Sequence, residues 1–322
     1  MQTKTKGVVL ISVLLIVLLL SSVAVIMGNN YLISLKRASY LEFQTSSLNF
    51  FRNIESLAIR KIDQELRFNS TFHNKQNSLF LNHFVFETDK GRIFGQISDE
   101  SSCFNINSMV IRAESNFVPN KKSIKAFRSF MDLMEVDNSL VDEAIDQIID
   151  WIDLDSNPRA YGLEDYYYSG PLNTPKEYTG RRLFYSVQEL KSLPAIRSIG
   201  WDIFNNNFCA LPESKDFSIN INTLGLEQAY LLSSLFLNLP LNDAEYIIMN
   251  LPENGVRNQG ELASLFPSYS LDAENGIISF SSKSFRLTTS INYESFNSKS
   301  VSRIYYGNNK NSYIISRIYN GI

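Results

Sequence analysis

The chain has 322 residues, 44% of them apolar, enough for about two domains with ordinary cores, so disorder is excluded as its main character. Lys and Arg number 30 against 33 Asp and Glu, a net charge of −3, which carries no polybasic signature of nucleic-acid binding. Two histidines, His73 and His83, and two cysteines are too few for the zinc clusters of most metallohydrolases.

Residues Val8 to Met27 form 20 consecutive uncharged, mostly apolar positions. At about 1.5 Å per residue they cross a hydrocarbon core of about 30 Å. A signal peptide would have a shorter apolar core and a small-x-small cleavage site, so a transmembrane helix is expected. Lys4 and Lys6 before it and Lys36 and Arg37 after it orient it only weakly. The helical pattern then continues. Leu32, Leu35, Ala38 and Leu41 recur every third position, and Ile54, Ala58, Ile62 and Leu66 every fourth, with charged and amide residues between. One helix is expected from about Val8 to Leu66. The alternative is a span and a separate helix broken at Gly28-Asn29-Asn30.

Alternation in Ser78–Glu87 and Gly91–Ile97 predicts two strands with a turn between them. Past this point the composition changes. All nine prolines lie between Pro119 and Pro267, and residues 103–272 hold 13 Lys and Arg against 23 Asp and Glu. A separate, loop-rich acidic domain is expected there. It contains a partial repeat. Phe104-Asn-Ile-Asn-Ser108 is echoed by Ile219-Asn-Ile-Asn-Thr223, and each is followed by a Glu-Leu-x-Ser-Leu word, at Glu189 and Glu261. Asn107-Ser108 and Asn222-Thr223 are read as helix N-caps. Tandem helix-hairpin-helix units also have this size, but no glycine-rich hairpin is present, and the acidic charge would repel phosphate.

The extra length of the first copy falls near Ile152–Tyr185. Asp150, Asp153, Asp155, Glu164 and Asp165 put five carboxylates within 16 residues, with Arg159 among them. Asp153-x-Asp155-x-Asn157 with Glu164 at the twelfth position has the ligand spacing of an EF-hand. Pro158 stands where that loop needs glycine, so a different oxygen-rich cation loop or a solvated acidic surface is left. Beyond the insert, Gly276–Phe280, Phe285–Tyr293, Val301–Tyr306 and Ser312–Tyr319 read as strands. No nucleophile elbow, phosphate loop or metalloprotease motif occurs, so an enzyme is not expected; carboxylates within Asp153–Asp165 serving an anchored hydrolase is the weaker reading.

The basic leader ending in Lys6-Gly7, joined directly to an apolar stretch and a long helix, resembles the type IV pilin-like proteins. Most of these carry Glu at the fifth mature position, where this chain has Ser12. That departure, with KGVVLISVLLIVLLL, FNINSM, ININTL and IIDWIDLDSNPRAYGLEDYYYSG before SVQELKSL, is similar to the K-type minor pseudopilins of the type II secretion system. Trp151, Asp153, Asp155, Pro158, Gly162, Glu164, Asp165, Tyr167 and Tyr168 occupy the positions of that family's calcium-binding stretch.

The resemblance implies an α+β, pilin-like fold with a large inserted α-helical domain. The leader would be residues 1–7, the membrane helix 8–27, the pilin-like domain 28–102 and 273–322, and the insert 103–272. Prepilin peptidase would cut after Gly7 and leave Val8 as the methylated first residue. A structural calcium ion would be held by Asp153, Asp155, Glu164 and Asp165, with Asp150 in support. Thr179-Gly180-Arg181-Arg182 stands where the family often has an Asn-containing segment, so a second calcium there is not expected.

The implied role is a non-enzymatic subunit at the tip of a periplasmic pseudopilus, anchored in the bacterial inner membrane and needed for secretion across the outer membrane. Its implied partners are the I-type and J-type minor pseudopilins, other pseudopilins and the inner-membrane assembly platform, with no nucleic acid. A minor pilin of a type IV or DNA-uptake pilus is the alternative. Beyond the inner membrane the compartment is oxidising, which favours a Cys103–Cys209 disulfide over two buried thiols.

Overall fold

The computed structural model describes the backbone of residues 6–68, 72–89, 91–293, 296–307 and 309–321, and side chains from residue 9 onward. Helix α1, Lys6–Phe68, runs unbroken for 63 residues, about 95 Å at 1.5 Å per residue. Gly28-Asn29-Asn30 does not interrupt it. These three residues cost about 2 kcal/mol in helix propensity, a local penalty that a long cooperative helix absorbs. Gly7 and Val8 lie in its first turns, while residues 1–5 of the leader fall outside the described residues.

Every residue from Val9 to Glu42 is exposed. Leu32, Leu35, Ala38 and Leu41 therefore have no cover from their own domain, and burial of the spine begins only at Phe43. Ile54, Ala58, Ile62 and Leu66, the set spaced by four, are all buried.

Helix α2 (Ser78–Leu81) follows, then strands β1 (Phe84–Thr88) and β2 (Gly91–Asp99). The strand expected from Ser78 thus starts six residues late. The Asn77 side chain accepts a hydrogen bond from the Leu79 amide and starts a helical turn that buries Leu79.

The insert begins with β3 (Phe104–Asn105), the hairpin β4 (Val110–Ala113) and β5 (Asn116–Pro119), and helices α3 (Lys121–Leu133), α4 (Asn138–Ile152) and α5 (Asp165–Tyr168). It continues through α6 (Pro194–Ile199), α7 (Trp201–Asn207), β6 (Phe208–Cys209), β7 (Ser218–Asn220), α8 (Ala229–Leu235), α9 (Leu241–Asn250), α10 (Gln259–Leu265) and β8 (Ile277–Ser279). The chain closes with β9 (Ser284–Tyr293), β10 (Phe296–Tyr306) and β11 (Ser312–Asn320).

Strands β1-β2-β9-β10-β11 form one antiparallel sheet. Strand β8 is not in it: it pairs in parallel with β7, so Gly276–Phe280 belongs to the insert's framework and not to the pilin-like sheet. The sheet packs Ile93, Ile97, Phe285, Leu287, Ile291 and Ile304 against Phe51, Ile54, Ala58 and Ile62 of the spine. Buried Glu55 of the spine accepts hydrogen bonds from Ser302 and from the Arg317 guanidinium, 2.9 Å away, which ties α1 to both β10 and β11.

The insert has its own core, in which Phe104 stacks on Phe217 at 4.3 Å between ring centres and Phe130 meets Phe208 edge-on. It attaches at the end of the spine remote from the apolar span. Asn220 Nδ2 donates to the His73 carbonyl, Lys75 Nζ to that of Leu224, and Asn74 Nδ2 to that of Asn254.

The two sequence repeats occupy equivalent places in this framework. In each, a short strand and a 3₁₀ turn lead, after a helical excursion, into the Glu-Leu-x-Ser-Leu word and then a parallel partner strand, β3 with β6 and β7 with β8. The caps differ from the expected ones. Asn105 and Asn220 cap the turns by accepting from the amides of Asn107 and Asn222. The second asparagines are buried cross-links instead. Asn107 bonds both backbone groups of Phe184 and the Leu211 carbonyl, and Asn222 bonds both backbone groups of Val256. Phe184 and Val256 each lie five residues before the glutamate of their word, so the duplication is one of hydrogen-bonding design as well as of letters. Cys103 and Cys209 form a disulfide across the β3–β6 pairing, with Cα atoms 5.8 Å apart.

Candidate metal centre

Helix α4 is capped at its start by Asp137, and it ends where the acidic run begins, with Asp153 as its C-terminal cap. That ending points the last-turn carboxylate of Asp150 inward. Asp150 is fully buried, and its Oδ2 accepts the Arg159 amide at 3.0 Å. Gly162 passes so close to the same oxygen that a Cβ there would overlap it, which explains why the returning loop carries glycine at this point.

Asp155 folds the loop locally by accepting the Asn157 amide at 2.9 Å. Glu164 begins the single turn of α5, its carbonyl accepting the Tyr167 amide, and its side chain is turned inside at 2% exposure.

The result is a triad: Asp153, Asp155 and Glu164 each offer an oxygen, and these oxygens lie within 4.8 Å of one another. Asp153 and Glu164 are buried while Asp155 reaches solvent. Both carboxylate oxygens of Glu164, Oδ1 of Asp153 and Oδ1 of Asp150 are buried without a hydrogen-bond partner. A buried carboxylate left in that state costs at least 1–3 kcal/mol. Two unit charges 4.8 Å apart repel by about 3 kcal/mol at an effective dielectric constant near 20. Burial, reinforced by Asp155 and Asp150, pushes Asp153 up to about 7. Burial, with Asp150 and Asp153 adding to it, pushes Glu164 up to about 7, and burial raises Asp150 to about 6 against the pull of Arg159. Such a group needs protons or a cation. Its donors are all hard oxygens, which suit a cation of the calcium or magnesium type over a softer metal.

Asp165 is not brought into this group. Its Oδ1 accepts from both the amide and the hydroxyl of Thr179 at 2.8 Å, and its Oδ2 pairs with Arg181 at 2.9 Å. Burial works to raise it, but the Thr179 bonds and the Arg181 guanidinium hold it below the usual carboxylate range. Thr179-Gly180-Arg181 thus supplies an internal positive charge to the carboxylate expected to be a fourth ligand. Asn116 is a contributor that the sequence did not reveal. Its Oδ1 accepts the Leu154 amide at 3.0 Å and its Nδ2 reaches Asp155 Oδ2 at 3.4 Å, fixing the loop to the β4–β5 hairpin. It lies 38 positions before Leu154, and no local spacing marks it.

Comparison with known proteins agrees with the architecture. The profile of the family described as type II secretion system, protein K, matches residues 102–213. Type II secretion system protein K of Aeromonas hydrophila is 29% identical over 266 residues, covering 79% of this chain and 80% of the relative. The protein of that name from Pectobacterium carotovorum is 29% identical over 265 residues, covering 79% and 78%. The structure resembles a chain in the crystal structure of the GspK-GspI-GspJ complex of enterotoxigenic Escherichia coli, with a TM-score of 0.72 at 18% identity, covering 88% of this chain and 99% of that one. Pilin-like spine, interrupted sheet and duplicated insert therefore meet in one reading: over about four-fifths of its length the chain is similar to type II secretion system protein K, which supports a minor pseudopilin of that system.

Proposed function

We propose that the protein is anchored in the bacterial inner membrane by the first part of α1, carries its folded domains in the periplasm, and caps the pseudopilus at its tip. The supporting observation is the exposed spine. Every residue from Val9 to Glu42 is solvent-accessible, including Tyr31, Leu32, Ile33, Leu35 and Leu41 beyond the 20-residue span. An apolar face of that length outside the bilayer calls for partner helices. The insert attaches at the opposite end of the spine, and its bulk there suits a capping position. The solved relative is named for its complex with GspI and GspJ, and the I-type and J-type minor pseudopilins are the partners proposed here.

The test is disulfide trapping in membranes between Leu35→Cys or Leu41→Cys and single cysteines in the spines of the candidate partners. Cross-linked adducts with the I-type and J-type subunits are expected. Adducts with the major pseudopilin alone, or none, would refute the tip assignment.

The acidic centre is proposed to hold calcium through Asp153, Asp155 and Glu164, the ion compensating the buried carboxylates and fixing the loop 153–164. Isothermal titration of the chelator-treated protein with calcium and with magnesium tests this. Saturable calcium binding lost in Glu164→Ala supports the site, and no heat with either ion argues for a protonated cluster.

A further inference from the structure

A cleft of about 520 Å³ lies between the insert and the start of β11, and neither the spine partners nor the metal centre accounts for it. Apolar lining comes from Phe117, Leu154, Leu183 and Phe184 of the insert and from Tyr313 to Ile315 of β11. Three arginines, Arg112, Arg181 and Arg182, line it as well, and no carboxylate does. Arg181 and Arg182 are held by Asp165 and Glu189, whereas Arg112 is exposed and has no ion pair among the described residues.

Strand β11 is the last in the sheet order, and residues 313–315 make no backbone hydrogen bond beyond β10 among the described residues. The register breaks at this point: Ser316 faces Arg303 and Ile314 faces Ile304, which leaves Ile315 as a bulge. Bulges re-aim side chains and favour functional edges, and an open strand edge presents unpaired N–H and C=O groups to a further chain.

From this combination we infer that the cleft is a docking site for an extended, acidic and apolar peptide segment of another protein, which adds as a strand alongside β11. The backbone edge at Tyr313–Ile315 pairs with the segment. Alternate apolar side chains of the segment enter the cleft, since residues two apart on a strand share a face. Its carboxylates meet Arg112, whose charge favours acidic over basic partners. An apolar groove alone would accept many ligands. The open edge selects a peptide over a lipid or small anion, and the unpaired charge of Arg112 selects the sign of its charge.

The test uses the full chain in nanodiscs, probed against an array of eight-residue peptides in which apolar residues alternate with Asp or Glu. Peptides of this pattern should bind. Exchanging their acids for Lys, or placing Pro at the centre to remove a ladder donor, should weaken binding at least 10-fold. Arg112→Glu should abolish the preference for acidic peptides and Arg112→Lys should retain it. Ser115→Trp, placed on the exposed hairpin turn at the cleft mouth, should block binding without a change of charge in the site. Melting curves of the variants should match the wild type. Absence of binding across the array, equal binding of acidic and basic peptides, or binding indifferent to both Arg112→Glu and Ser115→Trp would overturn the inference. Displacement of bound peptide by decanoate as efficiently as by unlabelled peptide would also overturn it, by making the cleft an anionic lipid site.

Discussion

Glu164 shows how one residue can cost stability in one state and supply it in another. Both its oxygens are buried and unpartnered, so the free protein carries the strain of an uncompensated carboxylate, whereas under the proposed calcium site the ion-bound protein would use it as a ligand. Glu164→Gln should therefore act with opposite signs. In chelator it should raise the melting temperature, by an amount corresponding to about 1–2 kcal/mol, because an amide tolerates burial better than a carboxylate. With calcium it should lie below the wild type, whose ion binding adds stability by mass action. A thermal melt of each protein in both conditions checks this, and a variant less stable in both would mean that the side chain is structural packing.

His73 makes a second residue-scale case. It is fully buried at the joint of spine and insert, its Nδ1 accepts the Ser282 amide at 3.1 Å, and its Nε2 has no partner. Burial lowers it to about 4, with nearby Glu65 pulling weakly the other way. The unfolded chain therefore binds the proton more readily between about pH 6.5 and pH 4. Its contribution is complete above the unfolded value and is lost as pH falls through that window, by up to about 3 kcal/mol. His73→Asn keeps an acceptor for the Ser282 amide but cannot titrate. Denaturant titrations from pH 7.5 to pH 4 should show a flatter profile for the variant, and parallel profiles would remove His73 from the account.

At the scale of elements, the buried asparagines define the insert. Asn107 satisfies three backbone groups, at Phe184 and Leu211, and Asn222 satisfies two, at Val256. Replacing either by Ala strands these groups without water, at about 1–3 kcal/mol each before relaxation. Asn107→Ala should be the more destabilising of the pair by urea denaturation, and Asn105→Ala, which removes a turn cap, should also destabilise. Equal and small losses for Asn107 and Asn222 would show that water repairs the cross-links. The sequence displayed these asparagines as repeated words but not their division of labour, because the same side chain serves a local cap or a cross-link, and the cross-link partners lie 34 to 104 residues away. Periodicity revealed the second half of α1 and the strands β9 and β10, since one face of each is buried, whereas the first half of α1 and β11, which bury no residue, were legible from their apolar and aromatic composition. It misread Ser78–Leu81, where the Asn77 cap overrides a short alternation, and it placed β8 in the wrong sheet, since a strand's pattern says nothing of its neighbour. At the metal centre the acidic run was visible, yet Asp165 was diverted by Thr179 and Arg181, and Asn116 arrived from another element. Contacts set by tertiary closure leave no local spacing to read.

On the scale of the whole molecule, two separate cores share one chain, with the insert's fold interposed between β2 and β9 of the sheet. Both chain crossings run through the region where Asp99 accepts from Thr223, and where Glu100 pairs with Arg286 and Arg303. The Cys103–Cys209 disulfide lies just inside this joint and closes a loop of 106 residues. In the chain-entropy view such a closure contributes about 4–5 kcal/mol by restricting the unfolded ensemble. All of that restriction falls on the first half of the insert, because the loop contains α3, α4, the acidic centre and α6 but no strand of the five-stranded sheet. The Cys103→Ser, Cys209→Ser protein should therefore open in parts. Amides of α3, α4 and β6 should exchange faster under native conditions, while those of β9 and β10, which pack on the spine, should keep their protection. Calcium should partly restore the first set, since an ion bound within the loop favours the same closed state that the disulfide favours. Hydrogen exchange read by mass spectrometry, with calcium and with chelator, resolves the segments. Uniform loss of protection across insert and sheet would show that the two cores fold as one cooperative unit, and that the joint transmits strain instead of isolating it.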